Sequence, residues 1–236
     1  MNFLELCREV ARESGTLAGG AGEIITVVDN KVGRIAKIVA WVRDAWVSIQ
    51  LEHNDWFWMQ REFSSPLSTG VMRYAPLDLS LARVAAWILD DCGDPVTTIQ
   101  NPSADRSDES QLRIISFGEW RARYGRGQHD ASRPTEIAVG ADGRLAIGAR
   151  PDQTYTLRGM YRAAPQVLAA NTDVPEMPAH FHKLIVWEAI KLASIHDEAP
   201  FTIQTSVGEY ARLRDALVSE QRPKTYVAFD SDTVIA

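Results

Sequence analysis

Reactive chemistry is what this chain of 236 residues has least of. It contains two cysteines, Cys7 and Cys92, far apart in sequence and with no Cys-x-x-Cys spacing. Such thiols read as reduced and structural, which sets aside a disulfide scaffold and a zinc ribbon. There is no His-Glu-x-x-His and no Gly-x-Ser-x-Gly, and no lysine followed by Ser or Thr stands behind the one glycine cluster. Metalloprotease, serine-hydrolase and phosphate-loop readings therefore lack their anchors. A basic stripe is missing as well: the net charge is −6 and arginine well outnumbers lysine. Tight gripping of nucleic acid is not expected of such a surface. No apolar run approaches the ~20 residues of a membrane span. The first residues do not form a leader, because Glu5, Arg8 and Glu9 interrupt their apolar positions. The expectation is a soluble protein made in the cytoplasm, with no internal repeat and no heptad array.

What is present is a pattern that changes period twice. Asn2 and Glu5 form a capping box, Phe3, Leu6/Cys7 and Val10 repeat at helical spacing, and Gly15 supplies a stop. Cys7 falls where a small buried hydrophobe fits. Ile24–Val28 reads as a short strand after a Gly/Ala-rich loop. From Asn30 to His53 the residues Ile35, Ile38/Val39, Val42, Ala45/Trp46 and Ile49 mark a long helix of roughly 35 Å. Trp56, Phe57 and Trp58 open a strand-rich middle, and residues 101–111 are polar enough for a mobile loop. Ser116 with Glu119 starts a short helix, and Asp142-Gly143 turns a hairpin between 136–139 and 145–147. Tyr155, Leu157, Gly159 and Tyr161 alternate with Thr156, Arg158, Met160 and Arg162, a strand with one apolar and one cationic face. Pro178 suits the first turn of a helix whose residues 184–192 are apolar nearly all round. Ser206 and Glu209 suggest a capped last helix with a stripe of Val207, Tyr210, Leu213 and Leu217, and an extended tail follows Pro223. The fold class is α+β: N-terminal helices over 1–54, a β-rich part over 55–165, C-terminal helices over 166–222 that complete a bundle with the first, and a tail over 223–236.

Each candidate for chemistry has a plainer reading. His180 and His182, with His196 beyond, are the one metal-like group, but i and i+2 on a helix point about 200° apart. Asp90, Asp91 and Asp94 lie in DDCGDP, which is turn chemistry. Gly19, Gly20 and Gly22, like Gly125 and Gly127, read as linkers. Trp56, Trp58 and Trp120 with Tyr124 offer faces for stacking a sugar or base, though their apolar neighbours favour packing. The arginines of 106–162 are nearly balanced by acids, so salt bridges between subunits are as good a reading as nucleic acid. A sugar- or nucleic-acid-binding β module on a helical stem is thus the alternative function, and a hydrolase assembled from distant residues a further one.

Five segments carry a resemblance: residues 1–15 (MNFLELCREVARESG), 41–50 (WVRDAWVSIQ), 53–58 (HNDWFW), 151–165 (PDQTYTLRGMYRAAP) and 173–190 (DVPEMPAHFHKLIVWEAI). In this order, over nearly the whole chain, they resemble the phage head–tail adaptor (connector) proteins. The resemblance implies a structural virion protein of the neck, not an enzyme, assembled in the host cytoplasm and needing no cofactor or metal. It implies a self-assembled ring, a dodecamer, under the portal ring. That ring joins head to tail or nozzle proteins, helps to retain packaged DNA that passes through without specific binding, and has no membrane partner. On this reading the β-rich middle faces the tail partner. The extended end, through Tyr226, Val227, Phe229, Val234 and Ile235, docks on the portal, as an apolar extended segment can.

Overall fold

A computed structural model describes residues 1–15, 25–53, 56–91, 93–127 and 129–221. In chain order the elements are helices α1 (Phe3–Glu13) and α2 (Gly33–Glu52), then strands β1 (Gln60–Leu67), β2 (Arg73–Tyr74), β3 (Val84–Ile88), β4 (Asp90–Asp91), β5 (Asp94–Pro95), β6 (Thr98–Gln100), β7 (Ser110–Gln111) and β8 (Arg113–Ile114). Helix α3 (Phe117–Arg123) follows, then β9 (Glu136–Val139), β10 (Leu145–Gly148), β11 (Tyr155–Ala163), α4 (Lys183–His196) and α5 (Pro200–Gln221). The chain is α+β and divides into two units, Met1–Trp56 with the residues from Gln166 onward, and Phe57–Pro165.

In the first unit, α1 begins as its sequence dictates. The Asn2 side chain accepts from the Glu5 amide, the Glu5 carboxylate accepts from the Asn2 amide (both 2.9 Å), and Gly15 leaves the helix at φ 64°. The free amides of its first turn are met from elsewhere in the chain: Phe3 donates to the Asp173 carbonyl at 2.7 Å and Leu4 to that of Asn171. Helix α2 starts at Gly33, three residues later than its periodicity suggests, because Asn30 and Gly33 both take positive φ. Its twenty residues span ~30 Å. Ile38, Val39, Val42, Ala45, Trp46 and Ile49 are buried along one stripe.

Helix α4 is apolar nearly all round because it touches α1, α2 and α5 together. The turn into α5 passes through Glu198 at φ 53°. Two expectations fail in this unit. The stretch 25–28 is not a strand: Ile25 and Val28 are buried, but their backbone is satisfied by side chains, the Val28 amide donating to Asn171 and the Ile25 carbonyl accepting from Arg8. Ser206 does not cap α5, which has already run from Pro200; its hydroxyl donates back to the Ile203 carbonyl at 2.9 Å. Val207 is 45 % exposed and off the stripe, whereas Tyr210 and Leu217 are buried.

The second unit is built on β11, whose alternation of buried and half-buried residues follows its sequence. On one edge it pairs antiparallel with β1, from Gln60↔Arg162 to Leu67↔Tyr155. On the other it pairs end to end with β3 (Tyr161↔Trp87) and β6 (Leu157↔Ile99), and β7 extends from β6. A second sheet has the order β2-β10-β9-β8, with β9 and β10 antiparallel and β8 parallel to β9. Phe63, Leu67, Leu157, Ile137, Leu145 and Ile147 from the two sheets share one core. The hairpin turns where Asp142-Gly143 stand, with Gly143 at φ 74°. Trp56-Phe57-Trp58 does not begin a strand; Phe57–Met59 is a 3-10 turn that buries Trp58 and Met59 before β1 starts. Residues 101–111 are held in place: the Asn101 amide donates to Asp108 (2.9 Å), Arg133 donates to the same carboxylate (2.6 Å), and Ser110–Gln111 pairs with β6.

Candidate functional site

The histidines diverge. His182 is 1 % exposed, its Nε2–H donating to the Met177 carbonyl (3.1 Å) while Nδ1 faces the Met1 amino nitrogen (2.7 Å). Burial, and then the neighbouring ammonium, push its pKa down, so the ring stays neutral. His180 faces outward to Glu220 at 3.0 Å. His196 belongs to a clasp at the end of α4, where its ring lies between Lys37 and Asp197 and near Trp41. The bidentate Arg34 guanidinium and then His196 hold the Asp197 carboxyl well below the usual range. Among the described residues no three His, Cys, Asp or Glu side chains converge as a metal site.

Asp90–Asp91 and Asp94–Pro95 pair as a two-stranded ribbon with the aspartates exposed, as turn chemistry requires. The tryptophans weighed as stacking platforms are inside: Trp56, Trp58 and Trp120 are only 2 %, 8 % and 6 % exposed. Trp56 donates to the Ile49 carbonyl, and Trp120 stacks on Phe117 at 5.7 Å. None presents a free face to a sugar or base, which removes the observation behind the ligand-binding alternative.

Residues 57–165 hold 13 arginines, no lysine and 13 acidic residues, so this unit is formally neutral and the net charge of −6 resides in the rest of the chain. Much of that charge is paired within the unit rather than kept for a neighbour. Glu136, 5 % exposed, accepts from Arg113, from Arg123 at 2.6 Å and from the Tyr124 hydroxyl at 3.1 Å. Burial opposes its ionisation, but those hydrogen bonds and the two cations outweigh burial and lower its pKa. Asp108 pairs with Arg133, Asp142 with Arg73 and Arg144, and Glu109 with Arg106 and Arg158. On the arginine face of β11, Arg158 meets Glu109 within the chain and so is accounted for without a neighbour.

What the β unit leaves open is backbone. Strands β1 and β3 flank β11 on its two sides, and among the described residues each pairs with β11 alone. The β1 edge carries exposed Glu62 and Pro66, devices that discourage a further strand. The β3 edge is Val84-Ala85-Ala86-Trp87-Ile88, with neither charge nor proline. Beside it runs a groove of about 520 Å³ lined by Pro76, Val84, Ala86, Trp87, Val139 and Asp142. The Trp87 indole donates to the Gly143 carbonyl at 2.7 Å and ties the strand to the hairpin below. Sequence reasoning did not single out this strand, although an uncharged six-residue apolar run between Arg83 and Asp90 is a legible signal. Tyr226, Val227, Phe229, Val234 and Ile235, the residues expected to dock on a portal, lie outside the described residues, as do the glycines of 19–22 and Cys92.

A chain whose most conspicuous histidines and acids serve its own scaffold, and whose open feature is a bare strand edge, has the surfaces of an assembly protein. The family model for the SU10 adaptor protein matches residues 1–231. The chain belongs to that family of phage head–tail adaptors and is a structural component of the virion. No curated protein matches it. No helix among the described residues is long and apolar enough to cross a membrane.

Proposed function

We propose that this chain forms a homo-oligomeric ring, a dodecamer, at the virion neck. The ring sits beneath the portal, joins the head to tail or nozzle proteins, and helps to retain the packaged DNA. The observation that carries the reading is the family match over nearly the full length. In this reading the helices from both ends of the chain act as one bundle, with α4 at its centre, and ring neighbours meet through heterologous contacts that close on themselves. The role is architectural and not catalytic. DNA slides past a surface with little unpaired cationic charge, consistent with the internal pairing of Glu136, Asp108 and Asp142. We assign to the tail, residues 223–236, the contact with the portal, through Tyr226, Val227, Phe229, Val234 and Ile235.

The test is co-sedimentation with the co-encoded portal ring, using the full chain and a chain lacking residues 224–236. The full chain is expected to travel with the portal. The shortened chain is expected to keep its circular dichroism and lose the portal. Equal binding by both removes the assignment of the tail, and no binding by the full chain removes the adaptor-ring reading itself.

A further inference from the structure

The open β3 edge asks for an occupant. Bare strand edges that are apolar, uncharged and free of proline are rare in finished proteins, because they recruit other strands. Here the opposite edge, β1, carries Glu62 and Pro66, while β3 carries no such guard. A strand laid along β3 would bury every second side chain in the adjoining groove, whose walls are Pro76, Val84, Trp87 and Val139. The groove also has a charged rim: Asp142 is flanked by Arg73 at 2.8 Å and Arg144 at 3.6 Å, two guanidiniums to one carboxylate. A segment that fits is therefore extended, apolar at alternate positions, and followed by an acid.

The chain itself contains such a segment. After α5 ends at Gln221, 15 residues remain, long enough to reach ~50 Å when extended. Within them, residues 225–232 (TYVAFDSD) place Val227 and Phe229 on one face of a strand and supply Asp230 next in line. We propose that residues 225–232 of a second copy of this chain add a strand to the β3 edge, with Val227 and Phe229 in the groove and Asp230 at the Arg73–Arg144 rim. In a closed ring each copy offers one edge and one tail, so the exchange leaves no β3 edge bare. This rests on the ring reading above and narrows its tail contact: Val227 and Phe229 serve the neighbouring subunit, and Tyr226, Val234 and Ile235 remain for the portal.

The test uses the full chain assembled on its portal, with the mass of each sample read by light scattering. In hydrogen exchange of the unmodified assembly, the amides of residues 84–88 and 226–229 are expected to slow together, at least tenfold relative to the unassembled chain. A second measurement mixes a chain carrying Ala85→Cys with one carrying Phe229→Cys, both also Cys92→Ser, and adds a short bis-maleimide. Ala85 is exposed, so its substitution spares the fold. A covalent dimer is expected from the mixture and not from either chain alone. A ring of full mass with fast exchange at 84–88, or without the mixed dimer, overturns this inference and leaves the adaptor reading standing. Cross-linking confined within one chain that carries both cysteines also overturns it, because the tail then folds on its own subunit. A chain that never assembles on the portal overturns both.

Discussion

Cys7 lies between Phe3 and Val10 with no accessible surface, and burial pushes its thiol up to about 12, the nearby Arg43 only partly opposing that. At pH 8 the thiolate is then a trace species, so alkylation of the folded chain followed by peptide mapping should leave Cys7 unmodified until denaturant is added. Rapid native labelling of Cys7 would contradict its burial. His182 and Asp197 make a two-step acid response. His182 is held neutral when folded and has an ordinary value of 6.5 when unfolded, so the unfolded chain binds the proton first. Stability should therefore decline as pH falls through about 6.5. Asp197 has a depressed folded value, so its contribution persists at that stage and is lost only as pH falls below its ordinary 3.8. Thermal midpoints recorded from pH 8 to 3 should show both steps. A His182→Asn variant should lack the first, and a variant that retains it locates the proton elsewhere.

At the scale of elements, the short-range signals were the legible ones. The Asn2–Glu5 box, the Gly143 turn and the two-faced strand 155–163 depend on residues close in sequence, and each stands where its chemistry puts it. The departures have long-range causes. Residues 25–28 have strand-like residues but meet side chains of Arg8 and Asn171 instead of a partner strand. The aromatic triplet at 56–58 coils because Trp58 and Met59 must both turn inward before β1 begins. Polar residues 101–111 are fixed by Arg133, which is distant in sequence and invisible to a local reading. The same holds for the surfaces: no composition rule shows that Glu136 draws in Arg113, Arg123 and Tyr124, or that β3 is left at an edge. Gly148 tests this packing. A Cβ there would lie 2.3 Å from the Tyr124 ring, whose hydroxyl serves Glu136. Gly148→Ala should cost about 2 kcal/mol through overpacking and lower the thermal midpoint by roughly 4–8 °C. An unchanged midpoint would mean that α3 shifts freely on the sheet.

On the scale of the whole molecule, two features agree on assembly: a β unit neutralised from within, with one unguarded strand edge, and family membership across residues 1–231. The family was legible from segments 1–15, 41–50, 53–58, 151–165 and 173–190 because these carry α1, the later part of α2, the central strand β11 and the start of α4. The docking surfaces were less so, because a strand edge is a property of pairing and not of composition. The most direct measurement is electron microscopy of the full chain mixed with its co-encoded portal ring. The account predicts a second ring, coaxial with the portal and of one subunit type, whose symmetry gives the copy number. A folded chain that remains unassociated beside intact portal rings would contradict it.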